Sequence, residues 1–216
     1  MKKTLGLLAL AALVAGTAQA APRSFRVSLD GIATGGTAPY SLNFQFAQGS
    51  DRFEGTTVTL NNFVFTGGGA SGAADFSASI GNGASGSTGS GFTLHVGGTD
   101  AYSDILQGFT LGTASIAFDL TVDSLPGSIA TPDKFSLFLL DSNFSVLTTD
   151  AADSSNAFLS FEVRGDSTLA TMPAVSSSGS GVTATVTAVP EPSTYGLLGA
   201  GALAAVAGVR RRRQAA

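Results

Sequence analysis

The chain has no cysteine, no tryptophan and one histidine, and little basic charge outside its two ends. Each shortage removes a class of chemistry. Without cysteine there is no disulfide, no thiolate zinc site and no thiol nucleophile, so an exported domain of this sequence must hold together by core burial. The roughly 170 residues between the two ends are enough to bury such a core in one domain. His95 has no His or Cys companion to complete a zinc ligand set. No Gly-x-Ser-x-Gly elbow supplies it with a nucleophile. It lies in Phe92-Thr93-Leu94-His95-Val96, where alternation turns it away from Leu94 and Val96 toward solvent.

Six of the 11 basic residues are terminal (Lys2, Lys3, Arg210, Arg211, Arg212 and Arg213), leaving Arg23, Arg26, Arg52, Lys134 and Arg164. Fourteen of the 15 acidic residues stay in the body, which therefore carries about -9 where the whole chain carries -4. A body with so little basic charge has nothing to neutralise phosphates, so nucleic acid is not expected as a partner.

Long hydrophobic runs are also lacking, and the two short ones are terminal. Lys2 and Lys3 precede an apolar run from Leu5 to Ala15, and Ala18-Gln19-Ala20 stands before Ala21. A charged start, a short apolar run and small residues at a cleavage point make residues 1–20 a signal peptide, with Ala18, Ala20 and Ala21 at the cut. At the other end, Val189-Pro190-Glu191-Pro192-Ser193-Thr194 leads into Tyr195 to Val209, 15 residues without a charge, and then Arg210 to Arg213. A helix of that length reaches roughly 22 Å, short of the about 30 Å hydrocarbon core. It makes a marginal transmembrane segment, with the Arg cluster held on the cytoplasmic side. Pro190 and Pro192 each lack an N–H and fix φ, so the stretch before the helix should be extended and exposed.

This order of motif, apolar helix and Arg cluster at 189–213 resembles the PEP-CTERM sorting signal of Gram-negative bacteria. The same segment is also named the ice-binding protein C-terminal domain, which describes the tail and not an activity. The resemblance implies an exosortase-type membrane enzyme as processing partner, transient inner-membrane anchoring through the C-terminal helix, and a final place at the cell surface or in the extracellular matrix. It also implies association with exopolysaccharide or biofilm. Tyr195 stands where the family often has Trp. The layout of Phe25 to Asp30, Leu42 to Phe46, Asn62-Phe63, Leu106 to Thr110 and Phe135 to Asp141 is similar to a recurring ectodomain among short PEP-CTERM proteins, which brings no functional residues with it.

Between the ends, residues 21–188 read as strands. Apolar and polar residues alternate at Phe25 to Asp30, Ser41 to Phe46 and Thr57 to Leu60, continuing through Phe63-Val64-Phe65. Further strand segments are Phe76 to Ile80, Phe92 to Val96, Ile105 to Leu111, Ile116 to Val122, Phe135 to Leu140, Phe158 to Val163 and Val182 to Val186. Short β-branched and aromatic runs parted by Gly, Asp, Asn and Pro predict an all-β protein, a single antiparallel sandwich or jelly roll. Ser136 to Leu140 is apolar on both faces and belongs in the middle of a sheet. The 15 Phe are core. Tyr40 and Tyr102, in polar turn-like surroundings, are the aromatics available to stack on sugars. Gly67 to Gly91 is Gly/Ser/Ala-rich and reads as flexible loops around an edge strand. Its two formal G-x-G-x-x-G matches (Gly67/Gly69/Gly72 and Gly81/Gly83/Gly86) lack the strand-to-helix setting of a nucleotide site and follow from composition.

Carboxylates are the abundant reactive groups. Glycoside hydrolysis needs two of them across a cleft, and nothing in the sequence pairs Glu54 with Glu162, so no enzyme is expected. Asp100 with Asp104, Asp141 with Asn143, and Asp150 with Asp153 and Asn156 read first as turns. No cofactor is expected, with calcium at Asp100, Asp104, Asp150 or Asp153 as the alternative, since hard cations take clustered loop oxygens. Thr57 and Thr59 form too short a Thr array to argue for ice binding. The sequence thus predicts a non-enzymatic, exported, surface-sorted matrix protein; the alternative is a calcium-stiffened adhesin or carbohydrate-binding module.

Overall fold

A computed structural model describes residues 23–32, 40–49, 56–123, 132–147, 156–163 and 181–189. Residues 1–20, expected from the sequence to be a signal peptide, the apolar C-terminal run and the Arg cluster lie outside these residues. Eleven strands occur in the described chain and no helix. Their order is β1 (Arg23–Asp30), β2 (Tyr40–Ala47), β3 (Thr56–Thr66), β4 (Ala70–Asp75), β5 (Ala84–Ser87), β6 (Gly91–Val96), β7 (Tyr102–Phe109), β8 (Ser115–Asp123), β9 (Asp133–Leu140), β10 (Leu159–Val163) and β11 (Thr183–Val189). Two antiparallel sheets result, β11-β1-β8-β3-β6-β5 and β10-β9-β2-β7-β4.

The sheets are joined by the apolar residues that each turns inward. Phe44 of β2 is fully buried and is in contact with rings from the opposite sheet. Its centroid is 5.5 Å from Phe118, 6.1 Å from Phe63 and 6.3 Å from Phe92. Edge-to-face and tilted arrangements of this kind add to the area that the rings remove from water. Phe135 on β9 extends the cluster to Phe161, stacked at 4.8 Å. Among the described residues most of the Phe are therefore core, as expected; Phe138 faces away from it on β9 and Phe144 departs further. Phe144 is exposed at the turn after β9, where φ is +58°.

β3 shows how a local irregularity keeps the core continuous. Thr56, Val58 and Leu60 face inward, then the register against β8 shifts between Asn61 and Val64. The extra residue reverses the alternation, so Phe63 and Phe65 pack on the core while Val64 is turned to solvent. Asn62 sits at the bulge with φ +55°, a conformation that Asn tolerates better than most residues. Its amide donates to Asp119 (2.7 Å), which also pairs with Arg26 (2.9 Å).

The Gly-rich stretch corrects the sequence reading. It contains two edge strands, β4 and β5, and Phe76–Ile80 is a turn closed by Ser79 N–H donating to the Phe76 carbonyl. Several of its glycines, though not Gly69, Gly72 or Gly89, are close-packing positions. A Cβ at Gly83 would run into the His95 carbonyl, and one at Gly86, where φ is +112°, into the Gly91 carbonyl. The second G-x-G-x-x-G match thus lets β5 lie against β6. β7 likewise begins at Tyr102 rather than Ile105, and β2 at Tyr40, so both tyrosines occupy strands and not turns.

Because Phe44 contacts rings on three strands of the facing sheet, Phe44→Ala should cost about 3–5 kcal/mol. Chemical denaturation should show this as a lower midpoint with little change in slope.

Candidate functional site

The outward face of the five-stranded sheet carries the densest polar arrangement among the described residues. β2 sends Leu42, Phe44 and Phe46 into the core, so Ser41, Asn43 and Gln45 point the other way. Gln45 stands opposite Asp104 on β7 and Ser136 on β9, and Ser136 stands opposite Ser160 on β10. A row Ser160–Ser136–Gln45–Asp104 therefore crosses four strands, roughly 14 Å at the usual strand spacing. A parallel row runs Glu162–Lys134–Ala47–Tyr102.

Hydrogen bonds fix one end of this face. The Asn43 amide donates to both carboxylate oxygens of Asp104 at 3.0 Å, and the Gln45 amide donates to Asn43 Oδ1 at 2.6 Å. The Tyr102 hydroxyl donates to Asp104 Oδ2 at 3.0 Å. Ser79 clasps the Asp104 backbone, its hydroxyl accepting from the N–H (2.9 Å) and donating to the carbonyl (3.0 Å). Asp104 is 5 % exposed and Asn43 7 %, so these orientations are held where water competes little. Burial, helped by the Asp104 charge and hydrogen bond, pushes the Tyr102 phenol well above its ordinary value. It remains a donor at all physiological pH. Gln45 and Tyr102 are the part-exposed members that present this fixed network at the surface, while Asn43, Asp104, Ser136 and Ser160 are buried beneath.

The other sequence candidates are dispersed. Tyr40 is half-buried and stacks on Phe109 at 6.1 Å, which gives its ring an internal role. His95 does turn away from Leu94 and Val96, but it is half-buried, with Nδ1 3.3 Å from Asp100 Oδ2. Asp100 Oδ1 accepts from the Asn82 N–H, so the Asp100 and Asp104 carboxylates serve separate sets of partners. Asp141 makes the turn read from sequence, its Oδ1 accepting the N–H groups of Asn143 (2.8 Å) and Ser145 (2.9 Å). No group of three or more His, Asp or Glu that could hold a metal ion occurs among the described residues. Asp150, Asp153, Glu54, Ala18, Ala20 and Ala21 lie outside them. Glu162 stands on the less buried side of β10, opposite Lys134. Asn43, Gln45, Ser136 and Ser160 were not singled out by sequence reasoning, because only strand order brings them together.

One buried carboxylate stands apart. Asp133, at the start of β9, is 1 % exposed; Oδ1 accepts from the Gly49 N–H at 2.8 Å, and Oδ2 has no hydrogen-bond partner. Burial raises its pKa and outweighs the hydrogen bonds from Gly49 and Thr56.

The C-terminal motif begins within the fold. Val189 is the last residue of β11, opposite Ser24 of β1, while Pro190 to Thr194 and Arg210 to Arg213 lie outside the described residues. Residues 188–213 match the family model of the PEP-CTERM protein-sorting motif. The chain is a PEP-CTERM sorting domain-containing protein. The motif implies export, sorting by an exosortase in the membrane, transient anchoring there and processing to the cell surface. No curated protein and no solved structure matches the chain.

Asp133 makes a signed prediction for this PEP-CTERM protein. A carboxyl whose folded pKa is raised contributes stability at low pH and loses it as pH rises through the folded pKa. Asp133→Asn should therefore raise the melting temperature at pH 7, with the gain shrinking toward zero near pH 4. Thermal unfolding of both forms across that range checks it.

Proposed function

We propose that this protein is a non-enzymatic component of the extracellular matrix of a Gram-negative bacterium, binding exopolysaccharide on the outward face of its five-stranded sheet. The observation that carries the reading is the cross-strand network Gln45–Asn43–Asp104–Tyr102. Sugars present dense hydroxyls and a weakly apolar ring face. Preset donors and acceptors meet the first at little ordering cost, and the half-buried Tyr102 ring beside Asp104 suits the second. The acidic body favours neutral polymers over anionic ones. The sorting motif supports the same reading by delivering the domain to the surface, where such polymers are made and retained.

Binding of the exported protein to the producing organism's purified exopolysaccharide should be saturable. Gln45→Ala combined with Tyr102→Phe should weaken it about tenfold, the equivalent of roughly 1.4 kcal/mol, while leaving the β-sheet circular dichroism unchanged. No saturable binding, or full binding by the double variant, would overturn the placement on this face. Release of new reducing ends from the polymer would overturn the non-enzymatic reading.

A further inference from the structure

The free edge of the six-stranded sheet is built differently from the other edges of the fold. Among the described residues β11 pairs with β1 on one side and with nothing on the other. Exposed sheet edges are pairing hazards that proteins ordinarily blunt with charge, proline, bulges or shortness. The other three edges are blunted. β5 has four residues and a glycine at positive φ, β4 carries Asp75 and a register shift, and β10 carries Glu162 and is largely buried. β11 is seven residues long, regular, uncharged and exposed at five of its seven positions.

Its sequence supplies the partner. Thr183-Ala184-Thr185-Val186-Thr187-Ala188-Val189 reads almost the same in both directions about Val186. We infer that β11 pairs antiparallel with β11 of a second copy about a two-fold axis through Val186, joining the two six-stranded sheets into one. In that register Val186 meets its own copy, Thr185 meets Thr187 of the second copy, and Ala184 meets Ala188. Every residue keeps its own face, since the offsets are even, and a two-fold interface requires this kind of self-complementarity. Thr–Thr cross-strand pairs are favourable. Charge does not oppose the approach of two acidic domains here. On the outer face the charges beside β11 are of opposite sign, Arg26 of β1 opposite Thr187 and Asp30 opposite Thr183, and Arg26 is held by Asp119 at 2.9 Å. Pro190, next in the sequence, has no N–H to donate to a ladder, which limits slippage of the pairing past Val189.

The absence of cysteine from the chain makes the register directly testable in the full-length exported protein. Val186→Cys should give a disulfide-linked homodimer on non-reducing gels, because directly opposed residues lie about 4.5–5.5 Å apart at Cα. Thr183→Cys should give none, because its two copies would be separated by six residues of strand, about 20 Å. In the Val186→Cys background, Thr185→Lys with Thr187→Lys sets like charges opposite each other and should lower the dimer yield at least tenfold. Thr185→Lys with Thr187→Glu should restore it. Absence of a crosslinked homodimer from the Val186→Cys variant, equal crosslinking at positions 183 and 186, or crosslinks to other envelope proteins alone would overturn the inference. Should the double-lysine variant fail to fold, the contrast between positions 183 and 186 decides the matter.

Discussion

The structure depends on the aromatic contact between its two sheets. No disulfide and no metal-ligating cysteine can tie the sheets together, so burial must do it, and among the described residues Phe44 makes the ring contacts between strands of the two sheets. Its ring reaches Phe63, Phe92 and Phe118 across the interface and lies 6.5 Å from Phe135 beside it. Those partners come from β3, β6 and β8 of one sheet and β9 of the other. Fixing their rings fixes the separation of the sheets, and with it the position of every outward-facing side chain. The polar network on the outer face thus inherits its rigidity from apolar contacts on the inner one.

The bulge in β3 serves the same constraint. A strand of 11 residues spans the sheet and must keep feeding the core as it twists. The added residue at Asn62 lets Phe63 join the aromatic cluster where strict alternation would have turned it outward. The exposed side of the bulge is held by Asn62 and Arg26 converging on Asp119. Burial works to raise the Asp119 pKa, and the bonds from Asn62 and Arg26 overcome it, so that carboxylate is held below its usual range. Its contribution is present at neutral pH and fades as pH falls through the ordinary carboxylate range toward the lowered folded value. Asp133 has the opposite sign, so the two acids pull the pH response of the fold in opposite directions.

Much of the strand plan was legible because alternation is a local property. Segments around Phe25, Phe44, Phe92, Phe118 and Phe135 form strands where apolar and polar residues take turns. The sequence failed where side chains are too small to give a pattern. Ala70–Asp75 and Ala84–Ser87 hold almost no apolar contrast, and their strand character comes from hydrogen bonding to β7 and β6. Phe76 looked like part of a strand, yet it is an anchoring side chain at a turn, packed 6.4 Å from Phe92. Tyr40 and Tyr102 were misplaced for a related reason: polar neighbours suggested turns, but those neighbours are outward residues of paired strands.

The sequence by itself determined the sorting motif at the C-terminus, the all-β class, the Phe core and the acidity of the body. Each of these is carried by residue type, or by spacing along a short stretch of chain. Tertiary structure alone decided that Gln45, Asp104, Ser136 and Ser160 share one row, and that the strand leading into the motif is the edge of its sheet among the described residues. These are facts of strand order, set by pairing between segments as distant in the chain as Ser24 and Val189, and alternation of period two contains no information about which strand lies beside which.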